Sequence, residues 1–221
     1  MPPAIVAPLP VLAWCATQPR WLTAVGDTLV DIADLVHVHG PAPLPEPALR
    51  AAVRTGDART LEQDPKYAFR LLVDIAIRAL SPAVNDPTTA VQALDQIEDL
   101  LRRLARRELE AGRAHDATGA LRLVFPTPSW EDYLSLAFDE IRQFGNTSVQ
   151  VMRRMRAALY GIAEVCTDEA RRASVERYLA HLTNDVARSA FDDIDRASAL
   201  SEDPQGLGLP RRRPPAPPPA R

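Results

Sequence analysis

Proline is distributed very unevenly along this chain, and it limits where helices can form because it lacks a backbone N–H and fixes φ. Of the 21 prolines, nine lie in residues 1–47, seven in residues 202–221 and five in the 154 residues between. This distribution predicts two irregular ends around a central body that is free to be helical.

Charge and cysteine content exclude two classes of protein. The 26 basic and 29 acidic residues give a net charge of −3, without the basic excess of a nucleic-acid-binding protein. Cys15 and Cys166 are too few for a disulfide scaffold and lack the spacing of metal ligands. We therefore expect no nucleic-acid partner.

The apolar stretch at residues 2–17 does not have the properties of a membrane segment. A membrane-spanning helix needs roughly 20 apolar residues, whereas this stretch is shorter and is interrupted by four prolines. It also lacks the basic residues that open a signal peptide. We expect no transmembrane segment in this chain, and a soluble, cytoplasmic location for it.

The residue pattern divides the chain into five segments. They are an irregular proline-rich N-terminus (1–20), a small β element (21–40), a linker with a short helix (41–58), a helical domain (59–201) and a disordered tail (202–221). In the β element we predict a hairpin with strands near 28–31 and 35–39, and a further short strand is predicted at 121–125. The tail combines prolines with arginines (residues 211–213), as is typical of disordered segments.

The fold class predicted from hydrophobic periodicity is mainly α: a bundle of about five helices, with a small N-terminal β-hairpin element. The predicted helices cover 65–80, 87–109, 129–144, 147–166 and 168–200, with Asp64, Asp86, Ser129, Asn146 and Asp168 as their N-terminal caps. The helix 65–80 is apolar on nearly every side, so we expect it to be the most buried. The helix 87–109 has its apolar residues at alternating spacings of four and three, which predicts packing against a neighbouring helix.

A dense group of polar residues lies at 59–95. Arg70, Asp74 and Arg78 are spaced by four residues and so share one face of the helix that we expect to be buried. Two arginines beside one aspartate leave one positive charge to be neutralised. The candidate ligand-binding residues are Arg59, Gln63, Asp64, Arg70, Asp74, Arg78, Ser81, Asn85, Asp86, Thr88 and Thr89.

Three interpretations of this group stay open. The first is an internal ion-pair network that fixes the turn 81–86 against the helix. The second is a site for an anionic ligand, with Thr88 and Thr89 in the first turn of the next helix, where free N–H groups favour an anion. The third is acid–base catalysis by Asp74 or Asp86, although no nucleophile or metal accompanies either residue.

No other part of the sequence has the pattern of a cofactor, metal or catalytic site. His37 and His39 lie on one face of a predicted strand but lack an evident third ligand. Cys166 lies on an apolar helical face and is expected in the core. The nine glycines are scattered and form no phosphate-binding loop.

The segment RTLEQDPKYAFRLLVDIAIRALSPAVNDPTTAVQALD at 59–95 resembles the signature of a bacterial family of predicted membrane proteins, domain-of-unknown-function family 2254. The block AFDEIRQFG at 137–145 is similar to a second family block, and GDTLVDIADLVHVHG at 26–40 resembles a β-hairpin of the biotinyl-like type. The resemblance covers roughly residues 20–200. It implies membrane helices on the N-terminal side of a soluble part, and it brings no activity and no cofactor.

We interpret the chain as a non-enzymatic assembly or regulatory module, with a homo-oligomer or a membrane-embedded segment as its partner. The helix 87–109 and the β element are the expected contact surfaces. The alternative is a domain that binds an anionic small ligand at 59–95, and an acid–base enzyme is the third possibility.

Overall fold

The computed structural model describes residues 4–6, 18–40, 45–56, 58–61, 64–109 and 112–209. These residues form seven helices and six short strands, so the protein is mainly α, as predicted. In chain order the elements are β1 (Ala4–Val6), β2 (Gln18–Trp21), β3 (Val36–His39), α1 (Glu46–Ala52), β4 (Val53–Thr55), α2 (Pro65–Ala79), α3 (Pro87–Ala105), β5 (Arg113–His115), β6 (Leu121–Val124), α4 (Trp130–Gly145), α5 (Val149–Val165), α6 (Glu169–Arg188) and α7 (Asp193–Ala199).

The chain divides into two units that alternate along the sequence. The described residues of Met1–Ala68 and Glu108–Ser129 form the first unit, and those of Phe69–Arg107 and Trp130–Arg221 form the second. The units are described separately below.

The first unit contains the strands. One sheet has the order β3-β2-β6-β5, in which β2 and β3 are antiparallel while β2 and β6 are parallel. The other is the antiparallel pair of β1 with β4. A small core of Trp21, Leu123 and Ala52 is formed in this unit, and each of these residues is less than a tenth exposed.

The hairpin partner predicted for the strand near 35–39 was wrong. Residues 28–31 form no strand, and β3 pairs instead with β2, which lies in the N-terminal segment predicted to be irregular. The chain turns at Gly26, whose φ of +87° suits glycine, and again at Ile32, which is fully exposed. The strand predicted at 121–125 forms as β6.

The second unit is built around α5. The apolar stripe of α3 packs against α5 and contains Ala90, Leu94, Ile97 and Leu101, none of which is exposed. The predicted packing of this stripe against a neighbouring helix is confirmed, and the neighbour lies within the chain. Helices α4, α6 and α7 also pack on α5.

Helix α2 is not the most buried helix, contrary to our expectation. Its inward face contains Phe69, Val73, Ala76 and Ala79, but Leu71 is 38% exposed and Ile75 49% exposed. Ten of the 17 residues of α5 are buried, including three arginines. The sequence did not indicate that α5 is the more buried helix, because its buried arginines lower its apparent hydrophobicity.

Two predicted helix boundaries were also wrong. The cap of α5 is Ser148, whose hydroxyl accepts from the N–H of Val151, and not Asn146. The predicted helix 168–200 breaks after Arg188, and Asp192 caps a separate α7 by accepting from the N–H of Asp195. Ile194, which follows this break, is 80% exposed.

Residues 202–209 fall in the tail predicted to be disordered, and the structure describes their contacts with the rest of the second unit. We call them the C-terminal strap. Asp203 is 1% exposed, and its carboxylate accepts hydrogen bonds from the N–H groups of Gln205, Gly206 and Gly208 at 3.2, 3.0 and 2.5 Å. Gln150 of α5 donates to the carbonyl of Gly206 at 2.6 Å. Residues 210–221, with the arginine run, lie outside the described residues.

In the part of the chain that the structure describes, every helix is too short or too polar to cross a lipid bilayer.

Candidate functional site

The candidate residues at 59–95 are distributed over both units. Arg59 and Asp64 belong to the first unit, and those from Arg70 to Thr89 belong to the second. Gln63 lies outside the described residues. Arg59 is exposed to solvent.

Asp64 is a structural cap in the first unit. It is 3% exposed, and its Oδ1 accepts from the N–H of Lys66 at 3.1 Å, at the start of α2. A Cβ on Gly26 would lie 2.2 Å from Asp64 Oδ2, so only glycine fits beside this carboxylate. The residue order Asp64-Pro65 is typical of a helix start.

In the second unit Arg70 contacts two carboxylates. Its Nε donates to Asp74 Oδ1 at 2.7 Å, and its Nη2 donates to Glu140 Oε2 of α4 at 3.1 Å. The hydrogen bond from Arg70 holds the pKa of Glu140 below its usual range, and the two carboxylates raise the pKa of Arg70 further. This ion-pair network joins α2 to α4.

Arg78 does not pair with Asp74, although their spacing of four residues predicted that two arginines would flank this aspartate. It is exposed, and its guanidinium forms no ion pair with any residue that the structure describes. Asp74 therefore has one arginine partner rather than two, and the second charge beside Arg70 is a carboxylate. The reasoning from α2 alone missed Glu140, which lies in the second family-like block at 137–145.

The turn between α2 and α3 uses its polar groups internally. Ser81 Oγ donates to the carbonyl of Arg78 at 2.7 Å, and the N–H of Asn85 donates to the carbonyl of Ser81 at 2.9 Å. Asn85 has a φ of +48°, a left-handed conformation that asparagine tolerates well. The N–H of Asp86 then donates to the carbonyl of Ala79 at 2.8 Å, which closes the turn.

Asp86 caps α3 as predicted. Its Oδ1 accepts from the N–H of Thr89 at 3.1 Å and its Oδ2 accepts from the Thr89 hydroxyl at 2.5 Å. These bonds, with a further bond from the N–H of Thr88, lower the pKa of Asp86. The N-terminus of α3, which we considered as an anion site, is therefore already occupied by the carboxylate of Asp86.

What α2 presents to solvent is a row of four residues, which we call the outer stripe: Leu71, Asp74, Ile75 and Arg78. Their spacing of three and four residues places them on one face. Beyond the helix, Val84 in the turn is 54% exposed. Most of the polar motif is therefore used in caps and ion pairs, while apolar side chains remain on the surface.

A second group of charged residues, on α5, was missed by sequence reasoning. Arg153, Arg154 and Arg156 are 4%, 4% and 6% exposed. Arg154 donates to Asp95 Oδ1 and Glu98 Oε2 of α3, each at 2.6 Å. A run of arginines at 153–156 inside an otherwise apolar helix was the available signal.

The histidines and Cys166 were the other candidates for a chemical site. Across the described residues, no cluster of histidine, cysteine and acidic side chains is arranged to hold a metal ion. Burial raises the pKa of the Cys166 thiol, so this cysteine is a poor nucleophile.

The fold and the motif at 59–95 together define a mainly helical domain, and similarity to known proteins gives its family. Residues 19–161 match the family described as predicted membrane protein (DUF2254), and the chain belongs to that family.

Three uncharacterized proteins, one from Mycobacterium bovis and two from Mycobacterium tuberculosis, are similar to it. Each is 36% identical over 148 residues, which is 67% of this chain. The matched region spans 28% of the length of these relatives. No solved structure matches the chain.

Proposed function

We propose that this chain is a non-enzymatic assembly module, which joins two copies of itself through the outer stripe of α2. The single observation that carries this proposal is the exposure of Leu71 and Ile75, at 38% and 49%, within the family motif. Apolar side chains one turn apart on an exposed helix face are typical of a helix that packs against a partner.

The use of the polar residues supports an assembly role over a chemical one. Asp64 and Asp86 cap helices, Ser81 and Asn85 close a turn, and Arg70 is neutralised by two carboxylates. An acid–base catalyst requires a carboxylate directed at a substrate site. The carboxylates that the structure describes in this motif instead face backbone N–H groups, a threonine hydroxyl or arginine.

The charges beside the outer stripe are self-complementary. Asp74 and Glu140 together exceed the charge of Arg70 by one, whereas Arg78, one turn away from Asp74, is an unpaired cation among the described residues. In a two-fold dimer each surface meets its own copy in reverse. Antiparallel packing of two α2 helices therefore brings Arg78 of each copy toward the acidic end of the other.

The helix that we first expected to form the contact is unavailable. The apolar stripe of α3 is already buried against α5, with Leu94, Ile97 and Leu101 unexposed. This leaves α2 as the helix of the second unit with exposed apolar residues in the family motif.

Sizing chromatography with light scattering over micromolar concentrations tests the proposal. We expect a dimer for the wild type and a monomer for Ile75→Glu, because a buried unpaired carboxylate opposes association. The matched control is Ile194→Glu on α7, where an isoleucine that is 80% exposed lies outside the stripe; this variant should remain a dimer. Circular dichroism checks that both variants are folded.

A wild type that is monomeric at every concentration refutes self-association. The partner of the outer stripe to test next is then a membrane-borne segment. A dimer that survives Ile75→Glu refutes the assignment of the interface to α2. Binding of an anionic ligand at 59–95 stays an alternative prediction, and it would depend on Arg78, since Arg70 already contacts two carboxylates.

A further inference from the structure

The most buried positive charges of the second unit lie on α5. Arg153, Arg154 and Arg156 are each at least nine-tenths buried. A buried charge is unfavourable unless it is paired and hydrogen-bonded. The partners of each guanidinium therefore indicate whether the fold satisfies it.

Among the described residues, five arginines have a side-chain nitrogen that is buried without a hydrogen-bond partner: Arg142, Arg153, Arg154, Arg156 and Arg196. Three of the five contact a carboxylate, since Arg142 pairs with Asp185, Arg154 with Asp95 and Glu98, and Arg196 with Asp193. Arg153 and Arg156 form no ion pair with any described residue. They therefore lack the charge compensation of the other three, of which only Arg154 is as deeply buried.

The partners of Arg153 are neutral. Its Nη1 donates to the carbonyl of Gly208 at 2.9 Å and its Nη2 to the carbonyl of Leu209 at 3.0 Å, both in the C-terminal strap. A carbonyl satisfies the hydrogen-bond donor but not the charge, because charge-assisted bonds to anionic oxygen are roughly twice as strong.

Arg156 has fewer partners still. Its Nη2 donates to the hydroxyl of Thr183 on α6 at 3.0 Å, and that hydroxyl donates its own proton to the carbonyl of Leu179 at 2.9 Å. The Nε of Arg156 is buried without an acceptor. The residue as a whole is 6% exposed, so its guanidinium is removed from most of the water that would otherwise solvate it.

We propose that Arg156, with Arg153 one turn away on the same face of α5, forms a binding site for a small oxyanion of the phosphate type. The spacing of three residues brings the two cations to neighbouring positions, about 5–6 Å apart at Cβ. The planar guanidinium matches the oxygens of phosphate. An anion there neutralises the charge that neither the Thr183 hydroxyl nor the strap carbonyls neutralise.

The site is separate from the outer stripe of α2. It belongs to α5, α6 and the strap, and none of its residues lies in the segment 59–95. A failure of the anion site therefore leaves the proposed dimer contact unaffected.

Thermal unfolding in inorganic phosphate, against chloride at matched ionic strength, tests the site. At about 100 times the dissociation constant a ligand raises Tm by about 5 °C or more for a domain of this size. We expect this shift in the wild type at about 10 mM phosphate, and its loss in Arg156→Met. The matched control, Arg106→Met, removes an exposed arginine that lies outside both the site and the outer stripe, and it should keep the shift.

Arg156→Met should also change the Tm of the protein when phosphate is absent. Because Arg156→Met replaces an uncompensated buried charge by an apolar side chain of similar length, its Tm in chloride should equal or exceed that of the wild type. Phosphate should then reverse the order of the two proteins. Arg156→Lys, which keeps the charge but loses the planar geometry, should bind phosphate more weakly in titration calorimetry.

Four outcomes overturn the proposal. The first three are the absence of a shift in the wild type, an equal shift in Arg156→Met, and a failure of Arg156→Met to fold in chloride. The last result would mean that the guanidinium is already satisfied by the protein. A shift equally large with every anion tested, including sulfate and acetate, would indicate non-specific charge screening and would also overturn it.

Discussion

Gly206 holds the C-terminal strap close to α3 and α5, and its replacement by alanine tests that contact. Gly206 has a φ of +66°, and a Cβ there would lie 2.2 Å from Val91 Cγ1 and 3.4 Å from Arg154 Cδ. Val91 is 4% exposed, and as a β-branched residue it is stiff at χ1, so it cannot easily move aside. We predict that Gly206→Ala destabilises the protein through both the backbone and the contact.

The magnitude of this effect has two parts. An L-residue in the left-handed region is disfavoured by about 1–2 kcal/mol, and overpacking of a filled site costs about 1–3 kcal/mol more. The expected loss for Gly206→Ala is therefore about 2–5 kcal/mol in free energy of unfolding. Gly208 provides the control, because its φ is +82° but a Cβ there would meet nothing within 4 Å.

Equilibrium urea unfolding of both variants separates the two parts. Gly208→Ala should lose only the backbone part, so the difference between the variants, about 1–3 kcal/mol, measures the contact with Val91. In a double-mutant cycle Val91→Ala should restore part of the loss caused by Gly206→Ala. Equal losses for the two glycine variants, with additive behaviour toward Val91→Ala, would refute the packing of the strap on α3.

Two further predictions concern the second unit. Leu94 is unexposed between α3 and α5, so Leu94→Ala should lower the free energy of unfolding by about 2–5 kcal/mol. Leu71 is 38% exposed, so Leu71→Ala should lower it by less than about 1 kcal/mol. Thermal unfolding of both variants measures this difference. Because Arg70 lowers the pKa of Glu140 from its ordinary value of 4.5, ionised Glu140 stabilises the folded state above that pH, and this contribution is lost as the pH falls through the lowered value. The stability difference between wild type and Glu140→Gln should therefore shrink on acidification, and a difference that stays constant from neutral to acidic pH would contradict the ion pair.

Local signals in the sequence predicted the helix starts well. Asp64-Pro65 and Asp86-Pro87 each combine a capping carboxylate with a proline at the first helical position, and α2 and α3 begin at Pro65 and Pro87. The stripe of α3 was also predictable, because a spacing of four and three residues depends only on the helical period. These features need no information about distant parts of the chain.

Contacts between distant segments could not be read in the same way. The pairing of Arg70 with Glu140 joins positions 70 residues apart, and no property of α2 distinguishes that carboxylate from others. The burial of α5 was hidden because its arginines resemble a solvated face in a hydrophobicity pattern. The hairpin partner was missed because strand pairing depends on which segments meet in the sheet rather than on local alternation.

The parallel pairing of β2 with β6 has a consequence for synthesis of the protein. Arg20 pairs with Val124, so one side of β2 lacks its partner until about a hundred more residues have been made, which takes on the order of 5–20 seconds at usual translation rates. During that time β3 can cover one edge of β2, while the other edge is open to pairing with other nascent chains. Slower translation lengthens this exposure. We therefore expect the yield of folded protein to depend partly on how soon residues 121–124 leave the ribosome.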